Sequence, residues 1–135
     1  MRRIILSVLL ISCALLICVR IAGNVNIENQ NEYIDIGADI MLGKIENQET
    51  FTVYFYQEDC NGCMEVNDVL NTYIKSTGDQ IYAIDLNNTD YPQYLVNILK
   101  IQSSPTIIRF EKGQEQSRLS SVFNLEELKK CISGK

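Results

Sequence analysis

The chain has 135 residues, 46% of them hydrophobic, enough for one domain around one core. It contains no histidine, which excludes Cys–His and Ser–His–Asp catalysis and histidine-containing zinc sites. The net charge is −5, but three of the 12 basic residues (Arg2, Arg3 and Arg20) lie in the first 23 positions. The remainder therefore carries 9 − 17 = −8, a charge that a phosphate backbone would repel.

Met1-Arg2-Arg3 is followed by an apolar run from Ile4 to Val19, then Arg20, Ile21 and Ala22. The run approaches the ~20 residues that a helix needs to span a bilayer. The leading arginines would stay in the cytoplasm, with the rest of the chain outside it. A cleaved signal peptide would cut after Ala22, but Arg20 stands where a small residue is wanted. Leu10-Ile11-Ser12-Cys13 has the shape of a lipobox, yet Ala14 to Val19 stays apolar where a lipoprotein tether turns polar. A buried core helix would show a polar face, and none is visible. The expectation is an uncleaved anchor over residues 1–23, a polar tether over 24–32 and a domain over 33–135. Lipidation at Cys13 and secretion are the alternatives.

Tyr33 to Ile36 alternates like a short strand, and Ala38 to Asn47 follows with Ile40, Met41, Leu42 and Ile45 at helical spacing. Phe51 to Tyr56, β-branched and aromatic throughout, predicts a buried strand. Val66, Val69, Leu70, Tyr73 and Ile74 form one helix face, stopped by Gly78. Ile81 to Leu86 is the next strand. Thr89 or Asp90 would cap a helix with Pro92 in its first turn and Leu95, Ile98 and Leu99 on its apolar side. Pro105 to Phe110 and Ser117 to Ser121 are strands around the turn Glu111-Lys112-Gly113-Gln114. Asn124 and Glu127 open a final helix, Leu125 to Ile132, with a capping-box pattern. This β-α-β-α-β-α-β-β-α order predicts an α/β fold: a mixed sheet with helices on both faces.

Of the five cysteines, Cys60 and Cys63 form Cys60-Asn61-Gly62-Cys63 between the buried strand and a helix start. Two intervening residues in a first helical turn let the sulfurs bridge. The helix N-terminus favours a thiolate at Cys60, the attacking species in exchange. Cys63, more buried, suits the resolving role, and the small Asn61 and Gly62 leave Cys60 open to a substrate chain. Half of a zinc site would need a second pair, and Cys131 is the only other cysteine in the domain. A structural disulfide closing so short a loop would stabilise little. Thiol–disulfide exchange requires neither cofactor nor metal, and none is expected. Cys131 lies with Leu125, Leu128 and Ile132 and reads as a small core residue, a third redox thiol being the minor alternative.

Residues 33 to 133 resemble the thioredoxin family. Three segments carry the resemblance: Val53-Tyr54-Phe55-Tyr56-Gln57-Glu58-Asp59-Cys60-Asn61-Gly62-Cys63, Ile101-Gln102-Ser103-Ser104-Pro105-Thr106, and Phe110-Glu111-Lys112-Gly113-Gln114. The resemblance implies the thioredoxin fold, a cis peptide before Pro105, and a substrate groove lined by Ser104 and Pro105. Without the resemblance, Pro105 is a simple strand-start proline. The compact form resembles short exported bacterial members, among them bacteriocin transport accessory proteins.

The chain departs from the family at several places. Asp59 and Gly62 stand where tryptophan and proline are usual, and Tyr54 where a buried aspartate accepts the proton of the second cysteine. That proton must leave by Glu58 or water. Glu58 and Asp59 are expected to raise the Cys60 pKa, or to be no more than a solvated acidic turn. The function expected is a membrane-anchored, extracytoplasmic thiol–disulfide oxidoreductase. It would act on exported cysteine-containing proteins or peptides and be recycled by a separate membrane redox partner. The alternative is an accessory module that holds an exported peptide, with redox chemistry secondary.

Overall fold

The computed structural model describes residues 31–88 and 93–134, apart from the side chains of Tyr94 and Leu95. These lie within Asn31–Lys135, the second of the two units into which the chain divides. The anchor and tether expectations, with Cys13 and Cys18, fall outside the described residues, as do Thr89, Asp90, Pro92 and the side chain of Leu95. Among the described residues, no helix is long and apolar enough to cross a membrane.

The elements run β1 (Ile34–Asp35), α1 (Ala38–Glu46), β2 (Phe51–Tyr56), α2 (Asn61–Thr77), β3 (Ile81–Asp85), α3 (Gln93–Leu99), β4 (Thr106–Glu111), β5 (Gln114–Ser120) and α4 (Leu125–Ser133). This is the order that the sequence predicts. The sheet order is β1-β3-β2-β4-β5. Strands β1 and β2 pair parallel with β3, while β4 pairs antiparallel with both β2 and β5. The central strand β2 is buried along almost its whole length, which is why it reads as a continuous apolar run rather than an alternating one.

Side-chain alternation along the strands divides the core in two. On one face Tyr54, Ala83 and Ile107 pack against Val66 and Leu70 of α2 and Leu128 of α4. On the other, Val53, Phe55, Ile84 and Ile108 pack against Ala38 and Met41 of α1, with Val96 and Leu99 of α3 alongside.

Two expected core residues lie outside it. Ile40 is 50% exposed and Ile98 66% exposed. Each precedes by one position a residue that faces the sheet, Met41 and Leu99. One residue is about 100° of helical rotation, enough to carry a side chain off a narrow apolar stripe. Strand β1 is shorter than the Tyr33–Ile36 expected, and both its residues are exposed at the sheet edge. Tyr33 instead turns inward and is buried.

The turns follow local chemistry. Lys112 and Gly113 both have positive φ, 50° and 72°, the pattern of a two-residue hairpin turn whose twist suits the flanking strands. A Cβ on Gly113 would collide with the Ile45 carbonyl, so the hairpin tip can pack against the end of α1 only with glycine there. Gly78 ends α2 in the left-handed conformation at φ 73°, which costs glycine nothing. At α4, Asn124 accepts from the Glu127 amide at 3.0 Å and the Glu127 carboxylate accepts from the Asn124 amide at 2.8 Å. This capping box satisfies the first turn of the helix that covers the Leu128 core. Replacing Asn124 with alanine is expected to cost about 1 kcal/mol, read as a lower midpoint in urea unfolding.

Candidate active site

The site forms where β2 ends and α2 begins. Cys60 is the N-cap of α2, in extended conformation at φ −105° and ψ 110°, and its sulfur accepts the Cys63 amide at 3.1 Å. An amide that a serine or aspartate oxygen would ordinarily satisfy is thus given to sulfur. The partial positive charge of the helix start falls on the same atom, and together these favour the thiolate. No acidic residue occupies the first turn of α2 to oppose it. Cys60 and Cys63 are joined as a disulfide, with Cα atoms 5.1 Å apart. Cys60 is half-buried and Cys63 only 6% exposed, so an incoming sulfur meets Cys60 first.

The Ser104–Pro105 peptide is cis, as the resemblance implies. It places the Ser104 carbonyl 3.5 Å and the Ser104 hydroxyl 3.6 Å from the Cys60 sulfur. The Pro105 carbonyl accepts the Ser121 amide at 2.9 Å, which ties this loop to the end of β5. Cys60, Cys63, Ser104 and Pro105 therefore converge, although they come from segments some 40 residues apart.

Gly62 makes the convergence possible. A Cβ there would lie 3.1 Å from Pro105 Cδ and 3.1 Å from Val122 Cγ2, tighter than ordinary van der Waals contact. The sequence reading gave Gly62 the task of leaving Cys60 accessible, and the structure adds this close approach. Met64 and Val122, at 62% and 49% exposure, present apolar surface beside the pair.

Two polar residues escaped the sequence reading. The Ser104 hydroxyl donates to Gln57 Oε1 at 2.7 Å, and Gln57 Nε2 donates to Asn87 Oδ1 at 3.2 Å. The Asn87 backbone N–H in turn donates to Asp85 Oδ1 at 2.8 Å. This chain links the C-terminal ends of β2 and β3 to the loop before β4. Its only signal in the sequence is position: Gln57 and Asn87 follow adjacent parallel strands, whose carboxyl ends commonly form sites.

Tyr54 occupies the place of the family's buried aspartate. It is 1% exposed, stacked on Tyr56 at 5.5 Å and edge-on to Tyr33 at 5.5 Å. Burial, then the neighbouring Tyr33, pushes its phenol up, further from the neutral range in which a tyrosine is protonated in any case. Tyr33 is pushed up to about 12 by burial, then by Asp35 and Asp85. Tyr56 is raised by burial and by its hydroxyl donating to Asp35 Oδ1 at 2.9 Å. Glu58 and Asp59 are exposed, so water screens their field at Cys60. Cys131 is free and buried in the core between α4 and the sheet, apart from the pair.

The thioredoxin family model matches residues 39–134. Among curated proteins, the chain is 24% identical over 102 residues to chloroplastic thioredoxin Y1 of Arabidopsis thaliana. That match covers 76% of this chain and 57% of the relative, so the chain spans little more than half of the relative's length. Among solved structures it is similar to oxidized mitochondrial thioredoxin 3 of Saccharomyces cerevisiae, with a TM-score of 0.62 and 17% identity, covering 76% of this chain and 95% of that one. It is also similar to reduced desulfothioredoxin of Desulfovibrio vulgaris Hildenborough, with a TM-score of 0.64 and 19% identity, covering 78% and 100%. At these identities the structural likeness establishes the fold.

The contact at Gly62 yields a direct test. Gly62→Val is expected to push the Pro105 loop off the cysteine pair, cost about 1–3 kcal/mol in urea unfolding and slow exchange with a model disulfide. Gly62→Ala should be milder, because a gain of up to about 1 kcal/mol in helix propensity offsets the crowding. Unchanged exchange in Gly62→Val would show that the close approach is dispensable.

Proposed function

The chain belongs to the thioredoxin family, and from that premise we propose that it is a thiol–disulfide oxidoreductase working through Cys60 and Cys63. One observation carries the reading: the Cys60 sulfur caps α2 and takes the Cys63 amide at 3.1 Å, beside a cis Ser104–Pro105 peptide. A structural disulfide needs neither an anion-stabilising amide on one sulfur nor a substrate-binding loop next to it.

In the reducing direction, the Cys60 thiolate attacks one sulfur of a client disulfide. The other client sulfur leaves as a thiolate and takes a proton, and Cys60 is left in a mixed disulfide. Cys63, once deprotonated, attacks the Cys60 sulfur. The Cys60–Cys63 bond forms, the bond to the client breaks, and the second client thiolate is protonated. Two electrons have passed from the dithiol to the client. Oxidation of a client dithiol runs the same steps backwards, and the direction follows the pair's potential relative to its recycling partner. Ser104 and Pro105 line the groove in which an extended client segment lies against Cys60.

The place of action is the extracytoplasmic side of a membrane. The sequence of residues 1–23 supports this reading: Arg2 and Arg3 precede the apolar run Ile4 to Val19, the charge order of an anchor with its N-terminus in the cytoplasm. The clients are then exported proteins or peptides with cysteines, and a separate membrane redox protein recycles the pair.

In cells, Cys63→Ser should accumulate mixed disulfides between Cys60 and exported proteins in the membrane fraction, visible on non-reducing gels and removed by reductant. Cys60→Ser should form none and abolish exchange. Normal client maturation with both variants would sink the redox reading.

A further inference from the structure

The Ser104 hydroxyl has one proton and two acceptors in reach. Gln57 Oε1 lies 2.7 Å away and the Cys60 sulfur 3.6 Å away. A disulfide sulfur is a weak acceptor and an amide oxygen a good one, so in the disulfide the proton belongs to Gln57. The Ser104 carbonyl, 3.5 Å from the same sulfur, can only accept. It accepts from a Cys60 thiol and repels a Cys60 thiolate. With the hydroxyl turned to Gln57, residue 104 therefore offers Cys60 an acceptor alone, which disfavours the thiolate that exchange requires.

Reduction changes this competition. A thiolate carries a full negative charge and accepts far more strongly than a disulfide sulfur. A carboxamide holds an acceptor and two donors side by side, so Gln57 can serve Ser104 in either sense. Gln57 Nε2 donates to Asn87 Oδ1 at 3.2 Å, and both side chains are exposed and free to turn. The Asn87 backbone stays anchored through its N–H bond to Asp85 Oδ1 at 2.8 Å. The ionisable groups around Cys60 are Cys63 of α2, Glu58 and Asp59 in the turn before it, and Asp85 behind Asn87. Ile101 to Thr106 and Leu119 to Asn124, which close the site from the other side, contain none.

We propose that Gln57 is a positioning residue for the Cys60 thiolate, and that its amide reverses with the redox state of the pair. In the disulfide, Gln57 Oε1 holds the Ser104 proton away from the sulfur. On reduction the hydroxyl turns to the thiolate, and the Gln57 amide turns over to donate Nε2–H to Ser104 Oγ. Asn87 turns likewise and donates to Gln57 Oε1. The polar chain then runs toward the sulfur instead of away from it, and each bond polarises the next. The inference rests on the exchange reading and adds to the helix start a second group that stabilises its attacking species.

The test reads the thiolate in the full chain with Cys13 and Cys18 replaced by serine; Cys131 is buried. The reduced protein is alkylated with iodoacetamide across a pH series, and Cys60 is followed by peptide mass spectrometry. Ser104→Ala is expected to move the pH midpoint upward and to lower the thiolate fraction below it roughly tenfold. Gln57→Glu, which only accepts, should do the same. Gln57→Met, which neither donates nor accepts, should lower that fraction about threefold. Gln57 is exposed, so neither replacement disturbs the core. In the Ser104→Ala background, Gln57→Met should have no effect and Gln57→Glu only the small effect of an exposed charge. A Gln57→Met midpoint equal to the parent's would overturn the proposal. So would shifts of equal size in the parent and Ser104→Ala backgrounds, which mark an action that bypasses the hydroxyl. Failure of the parent protein to close the Cys60–Cys63 bond on a model disulfide would instead overturn the exchange reading.

Discussion

The sulfur of Cys60 closes the open end of α2. A helix start leaves unpaired amides, and here one of them, from Cys63, is given to the Cys60 sulfur. The rest of the site is arranged around that bond. Strand β2 is buried on both faces and delivers Cys60 to the carboxyl end of the central strand at a fixed height. The antiparallel pairing of β2 with β4 brings Thr106 opposite Phe55, which sets Pro105 beside the same helix start. Gly62 removes the side chain that would hold the two apart. The element order could vary elsewhere without moving the sulfur, but a slip of one residue between β2 and β4 would turn the faces over and separate the loop from the pair.

What surrounds the sulfur sets this chain apart within its family. A tyrosine stack fills the space of a buried carboxylate, and burial moves the Tyr54 phenol still further from ionising. The negative charges near Cys60, Glu58 and Asp59, lie in solvent instead. Removing a buried charge takes away both a proton acceptor and a field on the cysteines, so the potential of the pair and its proton path belong to this chain. The polar chain from Asp85 through Asn87 and Gln57 to Ser104 gives the Cys60 neighbourhood a hydrogen-bonding frame.

Most of the fold was legible in the sequence, because its signals are local. Phe51 to Tyr56 reads as a buried strand from composition alone, Gly78 as a stop, and Asn124 with Glu127 as a start. The structure has all three where expected. The errors at Ile40 and Ile98 share one cause: an apolar residue next to an inward-facing one looks like part of the same stripe until the helix is docked. In the site, the cysteine pair and the proline loop were legible because their spacing and flanks are distinctive. Gln57 and Asn87 were not, since a polar residue in a loop carries no mark of its partner. Gln57 meets Ser104 across 47 positions, a pairing that only the sheet creates.

The central claim is that Cys60 and Cys63 form a reversible redox couple. It is tested most directly by equilibrating the full-length protein in glutathione buffers of graded potential, trapping thiols by alkylation, and reading each cysteine by peptide mass spectrometry. The account predicts that Cys60 and Cys63 change together in a single two-electron transition, while Cys131 stays reduced throughout. A pair that remains oxidised across the whole series, or a Cys60 that titrates without Cys63, would contradict it.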